Sequence, residues 1–305
     1  MVAPSQVLDQ RARIALRRLE WQLRGRRVTT PLIGEHRSIF RGRGMEFDQV
    51  VKYAFGDDIR DVDWNVTARL GDVYRKVFQE DREVTVFVVV SDDPALQFGS
   101  GASMKRDVLL RLAGLTMMLS IVNRERAGLL HASPSGTSVY PPTRRRAAIM
   151  AALASMFSSP VPDPAPKQRF IFSPALCQPI PRGALIVWLG EIPSEMPPPE
   201  WALIRRRHPV IGIRVEDEWE RAGPALSKFV AYDPEAHRLV WVEDSPEARL
   251  AHAQWREQRE RVWSAWWPDP RDRLVVDAGA DPLAALTHFL RDRSHLARRG
   301  AGRTA

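Results

Sequence analysis

From residue 84 onward the sequence predicts an α/β fold: a doubly wound, mainly parallel sheet with helices on both faces. Three observations carry this. The run Glu83-Val-Thr-Val-Phe-Val-Val-Val-Ser91 is almost continuously apolar and β-branched, the pattern of a strand buried on both sides. The stretch from Met104 to Val122 is apolar on most sides and long enough for a buried helix. The same alternation of short apolar runs and helical segments then continues to the C-terminal region.

Ahead of that domain, residues 6–24 carry Ile14, Leu16, Leu19 and Leu23 at near-helical spacing with arginines between them. They predict an amphipathic helix packed on the domain or on a partner subunit. Residues 28–83 are rich in Gly, Asp and Arg, with alternations such as Val73, Arg75, Val77 and Gln79, which suit short strands and turns. Beyond the first strand and helix, strands are expected at 127–132, 184–189, 210–215 and 274–277, with an edge strand at 137–140. Helices are expected at 144–157, 200–206, 246–267 and 282–293. The long helix at 246–267 holds Trp255, Trp263, Trp266 and Trp267, whose default role is core packing. Seven prolines between 158 and 183, and Pro193 with Pro197 to Pro199, mark two surface loops. The expected organisation is an N-terminal helix plus a small β-rich region over 1–83, and the α/β domain over 84–305.

Of the 305 residues, 44% are hydrophobic and 27% charged, the balance of an ordinary globular protein. Cys177 is the single cysteine, which rules out an internal disulfide and a four-cysteine zinc site. Uncharged stretches such as 112–123 fall short of the roughly 20 residues that span a bilayer, and the arginines at 11, 13, 17 and 18 do not suit a signal peptide. The expected location is the cytoplasm, with no transmembrane segment.

The net charge is +8, yet the excess lies at the ends. Residues 1–27 hold seven arginines against two acids, and residues 291–305 hold five against one. The body is close to neutral, and its clusters at 144–146 and 205–207 lack interleaved aromatics for base stacking. No specific nucleic acid is expected. A basic-tailed nucleic-acid or membrane-surface binder stays as an alternative resting on the two termini.

The most distinctive stretch is Arg41-Gly-Arg-Gly-Met-Glu-Phe47, then Tyr53, then Gly56-Asp-Asp-Ile-Arg-Asp-Val-Asp-Trp64, ending at Thr67-Ala-Arg69. Asp57, Asp58, Asp61 and Asp63 lie in sequence beside Arg60, Arg69, Arg41 and Arg43. Gly56 permits a positive φ, and aspartates bond nearby amides, so the plain reading is a salt-bridged turn. The EF-hand pattern fails for want of Gly at the sixth position and Glu at the twelfth.

These residues resemble the signature of the family catalogued as domain of unknown function 58. The resemblance rests on Arg41, Gly44, Glu46, Phe47, Tyr53, Gly56, Asp57, Asp58, Arg60, Asp61, Asp63, Trp64 and Arg69, taken as a partner-binding or structural signature. It continues more weakly to about residue 293 through Val86 to Val90, Phe98-Gly99 and Gly128-Leu-Leu130. It implies a von Willebrand factor A-like domain behind a small β-rich region, in the short form without transmembrane helices. It also implies a partner, a MoxR-type AAA+ ATPase, and a third, client protein.

Members of the family often carry Asp-x-Ser-x-Ser after the first strand, the first loop of a metal-ion-dependent adhesion site. The aligned residues here are Ser91, Asp93 and Ala95, with Thr143 standing for the second-loop threonine and Glu191 for the third-loop acid. The first acid has become Ser, the first hydroxyl Asp, and the last hydroxyl a methyl. Asp92, Asp93 and Glu191 are expected at the carboxyl ends of adjacent strands, where open α/β sheets bind ligands. The reading is a degenerate site that shapes a protein-binding surface, with Mg²⁺ at Ser91, Asp93, Thr143 and Glu191 as the alternative.

Enzymatic constellations are scarce. The histidines show no zinc-ligand pair at helical spacing, and no Gly-x-Ser-x-Gly elbow or Walker loop occurs. Cys177 has no basic neighbour closer than Arg182 to activate it. The expected function is a non-enzymatic adaptor that binds through the loops 91–99, 141–145 and 191–199, without catalytic residues and without a required cofactor. The alternative is a Mg²⁺-dependent hydrolase using Asp57, Asp61 or Asp93 on an anionic substrate.

Overall fold

A computed structural model of the protein describes residues 10–24, 45–54, 57–80, 84–133, 136–162, 177–193, 195–223, 228–233 and 238–301. Two compact units emerge, one of Met1–His36 with Val84–Ala305, the other of Arg37–Glu83. The sequence reading joined the N-terminal helix to the β-rich segment, whereas its contacts place it with the α/β unit. Helix α1 (Gln10–Arg24) buries Ala12, Leu16 and Leu19, one stripe spaced at four and three residues.

In the smaller unit β1 (Met45–Lys52) and β2 (Tyr74–Glu80) pair antiparallel, with a register shift between Phe47 and Gln49. Between them lie a 3₁₀ turn (Ile59–Asp61) and a short helix α2 (Trp64–Leu70) that the sequence reading did not separate from the turns. Gly71, at φ +80°, closes α2 in the left-handed conformation that glycine adopts without strain.

The larger unit runs β3 (Thr85–Ser91), α3 (Lys105–Val122), β4 (Arg126–Ser133), β5 (Gly136–Thr143), α4 (Arg146–Phe157), β6 (Leu185–Leu189), α5 (Pro199–Arg207) and β7 (Val210–Glu216). It continues through α6 (Glu218–Ala222), a hairpin of β8 (Lys228–Asp233) and β9 (Arg238–Glu243), α7 (Pro246–Trp266), β10 (Arg273–Asp277) and α8 (Pro282–Ala301). Among the described residues, six strands form one sheet in the order β10-β7-β6-β3-β4-β5, parallel except for β5. This is the mainly parallel α/β architecture with an N-terminal helix that the sequence predicts. The hairpin β8–β9 and helix α6 were not foreseen.

Alternate residues of the buried strands feed two cores. Val86, Val88 and Val90 face one cluster, built with α1, α3, α4 and α8. Phe87 and Val89 face the other, which holds Trp188, Trp201, Trp263, Trp266 and Trp267 with α5 and α7. Gly212 on β7 gives the indoles their floor: a Cβ there would fall 2.5 Å from Trp267 Cε2 and 2.8 Å from Trp263 Cη2. Trp255 stands apart from its helical neighbours, 40% exposed, stacked on His252 and capped by the Arg259 guanidinium 4.5 Å above its ring.

Chain order places β4 on one side of β3 and β6 on the other. The connections therefore leave β3 and β6 in opposite directions, and a switch point opens between their carboxyl ends, where such sheets bind ligands.

Candidate functional site

At that switch point the ends of β3 and β6 approach closely. A Cβ on Gly190 would lie 2.8 Å from both the Ser91 Cβ and the Trp188 ring, so only glycine fits this turn. Just beyond these ends, Asp92 and Glu191 begin two buried charge networks.

Asp92 is fully buried. It accepts Arg106 in a two-point pair, Nε to Oδ1 at 2.8 Å and Nη2 to Oδ2 at 2.7 Å. His131 Nε2, at the end of β4, lies 3.0 Å from Oδ2 and donates to it. Burial pushes the Asp92 carboxyl up, but the His131 and Arg106 hydrogen bonds outweigh it and hold the group below its ordinary value. Arg106 also donates to the Ser159 and Pro160 carbonyls, tying the first turn of α3 to the segment after α4.

Lys105 leads the second network from the first position of α3, at 1% exposure. Its Nζ lies 2.5 Å from Glu191 Oε2 and 2.8 Å from Glu220 Oε1. Arg259 from α7 adds Nη2 at 2.6 Å from Glu191 Oε1. Glu191 Oε1 also accepts the Ile192 amide, and Glu220 Oε2 accepts the Asp217 amide. Burial alone would raise the Glu191 carboxyl; Lys105 and Arg259 reverse that and hold it at about 2. Asp217, the N-cap of α6, accepts the Ser100 amide at 2.9 Å and the Ser100 hydroxyl. The loop after β3 is thereby fastened to the end of β7. A helix amino end disfavours cations, so Lys105 and Arg106 hold their places there through these carboxylates.

The residues expected to hold Mg²⁺ do not come together. Asp93 Oδ1 accepts the Ala95 amide at 2.8 Å and caps the 3₁₀ turn Pro94–Gln97. Glu191 is enclosed by Lys105 and Arg259. Thr143 lies at the other end of the sheet. Because β5 runs antiparallel, Thr143 pairs with Ala127, while Ser91 pairs with Ala132 five residues further along β4. That is about 17 Å of strand. The Thr143 hydroxyl instead accepts the Arg145 amide. The loop 141–145 is likewise removed from the carboxyl edge, which corrects its expected place in one docking surface. Among the described residues no group of three or more His, Cys, Asp or Glu side chains is arranged to hold a metal ion. The described residues Ser91, Asp93, Thr143 and Glu191 therefore do not assemble a site for the ion that the resemblance implies.

In the smaller unit the signature aspartates serve the backbone. Asp57 accepts the Ala54 amide and pairs with Arg75 at 2.8 Å, and the Tyr53 hydroxyl donates to the Asp57 carbonyl. Asp58 accepts the Arg60 amide. Asp63 caps α2 through the Asn65 and Val66 amides, and Asp61 ends the 3₁₀ turn. Trp64, at 68%, and Ile59 are exposed, as are Arg60 and Arg69. Glu46 and Phe47 sit on β1 opposite Gln79 and Phe78. Arg41, Gly44 and Gly56 lie outside the described residues. Asp57, Asp61 and Asp93, the carboxylates of the hydrolase alternative, belong to two separate units.

Sequence reasoning missed Lys105, Arg106, His131, Asp217, Glu220 and Arg259. Two signals were present: a Lys-Arg pair opening a largely apolar helix, and Asp217 three residues before Glu220, a capping-box spacing. Burial raises the Cys177 thiol to about 11, in keeping with the absence of an activating neighbour in sequence.

Fold and site together define an α/β protein with a doubly wound, mainly parallel sheet whose carboxyl edge is closed by ion pairs. The family described as "Protein of unknown function DUF58" matches residues 49–261, and the chain belongs to that family. It is similar to the uncharacterized proteins Mb1516 of Mycobacterium bovis and Rv1480 of Mycobacterium tuberculosis. Each is 27% identical over 233 residues, covering 75% of this chain and 72% of the relative. Among solved structures it is similar to the conserved hypothetical protein BatB from Bacteroides thetaiotaomicron, with TM-score 0.38 and 9% identity, over 70% of this chain and 99% of that one. The open conformation of the pilus adhesin SpaC from Lactobacillus rhamnosus GG gives TM-score 0.33 and 13% identity, over 72% of this chain and 30% of that one. No helix among the described residues is long and apolar enough to cross a membrane.

Proposed function

We propose that this chain is a non-enzymatic adaptor that docks proteins on the carboxyl edge of its sheet. By its family resemblance it would work with a MoxR-type AAA+ ATPase in the chaperone-like assembly of a client protein. The observation that carries this reading is a contrast along that edge. The carboxylates of Asp92, Glu191, Asp217 and Glu220 all have donors from within the protein. Apolar side chains on the neighbouring loops face outward: Phe98 is 39% exposed, Met104 48% and Met196 56%. Outward apolar groups on a frame braced by ion pairs suit protein contact, and methionine adapts to varied surfaces.

The test is binding of the purified chain to the MoxR-type ATPase of the same cell, by interferometry with and without ATP. Phe98→Glu combined with Met196→Glu is expected to weaken binding at least ~10-fold while leaving the melting temperature within ~2 °C. Absence of binding by the wild-type chain, or binding indifferent to the double substitution, sinks the reading.

A further inference from the structure

We propose that Lys105 is the resident cation of the carboxyl edge: its ammonium takes the seat between Glu191 and Glu220 that two converging carboxylates would otherwise offer a divalent ion. The inference rests on the geometry of this edge alone and does not depend on what docks there.

The argument begins with the anions. Glu191 follows β6 and Glu220 lies in α6, yet both reach one nitrogen, at 2.5 and 2.8 Å. Two carboxylates that close together in a water-poor setting repel strongly unless a cation lies between them. Lys105 is 1% exposed, so water screens little of this. Every oxygen of the pair has a donor. Glu191 Oε2 and Glu220 Oε1 take Lys105, Glu191 Oε1 takes Arg259 and the Ile192 amide, and Glu220 Oε2 takes the Asp217 amide. Lys105 and Arg259 balance Glu191 and Glu220 charge for charge. No carboxylate oxygen of the pair is left for a metal, whose binding needs several oxygen ligands at one point.

The seat also holds its surroundings. The Lys105 amide donates to the Phe98 carbonyl at 2.9 Å, so the residue that pins the two acids also anchors the loop bearing Phe98. One covalently fixed cation thus joins the β3 loop, α3, the β6 loop and α6. A bound ion would do the same work but would leave when the metal is withdrawn; a lysine does not.

The probe is manganese chloride against EDTA on the full chain, read by thermal melting and by the electron paramagnetic resonance of free Mn²⁺. The wild-type melting temperature is expected to agree within ~1 °C in the two conditions, with no Mn²⁺ taken up, because a ligand stabilises only what it binds. Lys105→Ala with Arg259→Gln empties the seat of both cations. In EDTA this variant is expected to melt ~10 °C lower, and millimolar Mn²⁺ is expected to restore several degrees with measurable uptake. A variant that folds only with Mn²⁺ supports the proposal equally.

Stabilisation of the wild-type chain by Mn²⁺, lost in Glu191→Gln, would overturn it, since the seat would already belong to a metal. So would an emptied variant that folds and ignores Mn²⁺. If the emptied variant folds in neither condition, Lys105→Met and Arg259→Gln combined with Glu191→Gln and Glu220→Gln decides. Removing both carboxylates together with both cations is expected to give a folded protein, and its failure to fold would refute the charge-balance argument.

Discussion

Asp92 grips Arg106 at two points, Oδ1 to Nε and Oδ2 to Nη2, in a pair closed off from solvent. Removing one partner of a buried pair leaves the other charge without compensation. Asp92→Ala is therefore expected to cost about 3–5 kcal/mol of unfolding free energy. Urea denaturation measures it; a loss below ~1 kcal/mol would mean that Arg106 finds other partners.

The pH profile has two opposing parts. Glu125 precedes β4 with its Oε2 buried and unbonded, and burial raises its carboxyl from 4.5 to about 7, with the Ser120 hydrogen bond partly offsetting. The folded chain then holds this proton more tightly than the unfolded one. Its contribution is full below the ordinary glutamate value and is lost as pH rises toward 7. Asp92 and Glu191 are shifted the other way, so their contributions are full above the ordinary carboxylate range and are lost as pH falls below it. Stability is expected to peak near pH 5. Glu125→Gln is expected to remove the decline toward neutrality and to stabilise the protein at pH 8 by up to about 3 kcal/mol. Melting temperatures between pH 3 and 8 test this; a parallel profile in the variant would contradict it.

Gly212→Ala places a methyl group against the Trp267 ring, with Trp263 behind it. Rigid indoles cannot step aside as a flexible side-chain end can. The expected loss is about 1–3 kcal/mol, accompanied by a changed near-ultraviolet circular dichroism spectrum from the tryptophan cluster. An unchanged spectrum would mean that the rings have room to move.

Leu19 of α1 lies over Gly114 of α3, its Cδ1 only 2.6 Å from where a Cβ on that glycine would be. Leu19→Ala is expected to cost about 2–4 kcal/mol, because the contact belongs to the main core. A stability equal to wild type would show that α1 is dispensable to the larger unit.

In the signature, Asp63 and Trp64 are neighbours with opposite expected behaviour. Asp63→Ala removes the cap of α2 and is expected to cost about 1 kcal/mol. Trp64→Ala alters an exposed side chain and is expected to change stability by less than ~0.5 kcal/mol. Denaturation of the two variants side by side checks the contrast.

The central strands were legible because a strand covered on both faces must be apolar almost throughout, as Val86 to Val90 are. Hairpin β8–β9 escaped notice because it is not covered in that way: Val230 and its partner Trp241 are both exposed. Thr143 was misplaced for a topological reason. A residue after an edge strand falls at the carboxyl end only if that strand runs parallel, and sequence does not state the direction. Glu191 was found at the correct edge, but its partner was not. Lys105 lies 86 residues away, and the pairing exists only once α3, β6 and α6 are assembled. Asp57, Asp58 and Asp63 of the signature could be read locally, because each bonds an amide within three residues.

Segment 37–83 interrupts the larger unit between α1 and β3, both of which are built into its main core. The insert is thus joined in sequence at both ends to parts of a single core. A single cut of the backbone within 37–83 would consequently leave one fragment ending in α1 and the other beginning before β3, each still carrying its share of that core.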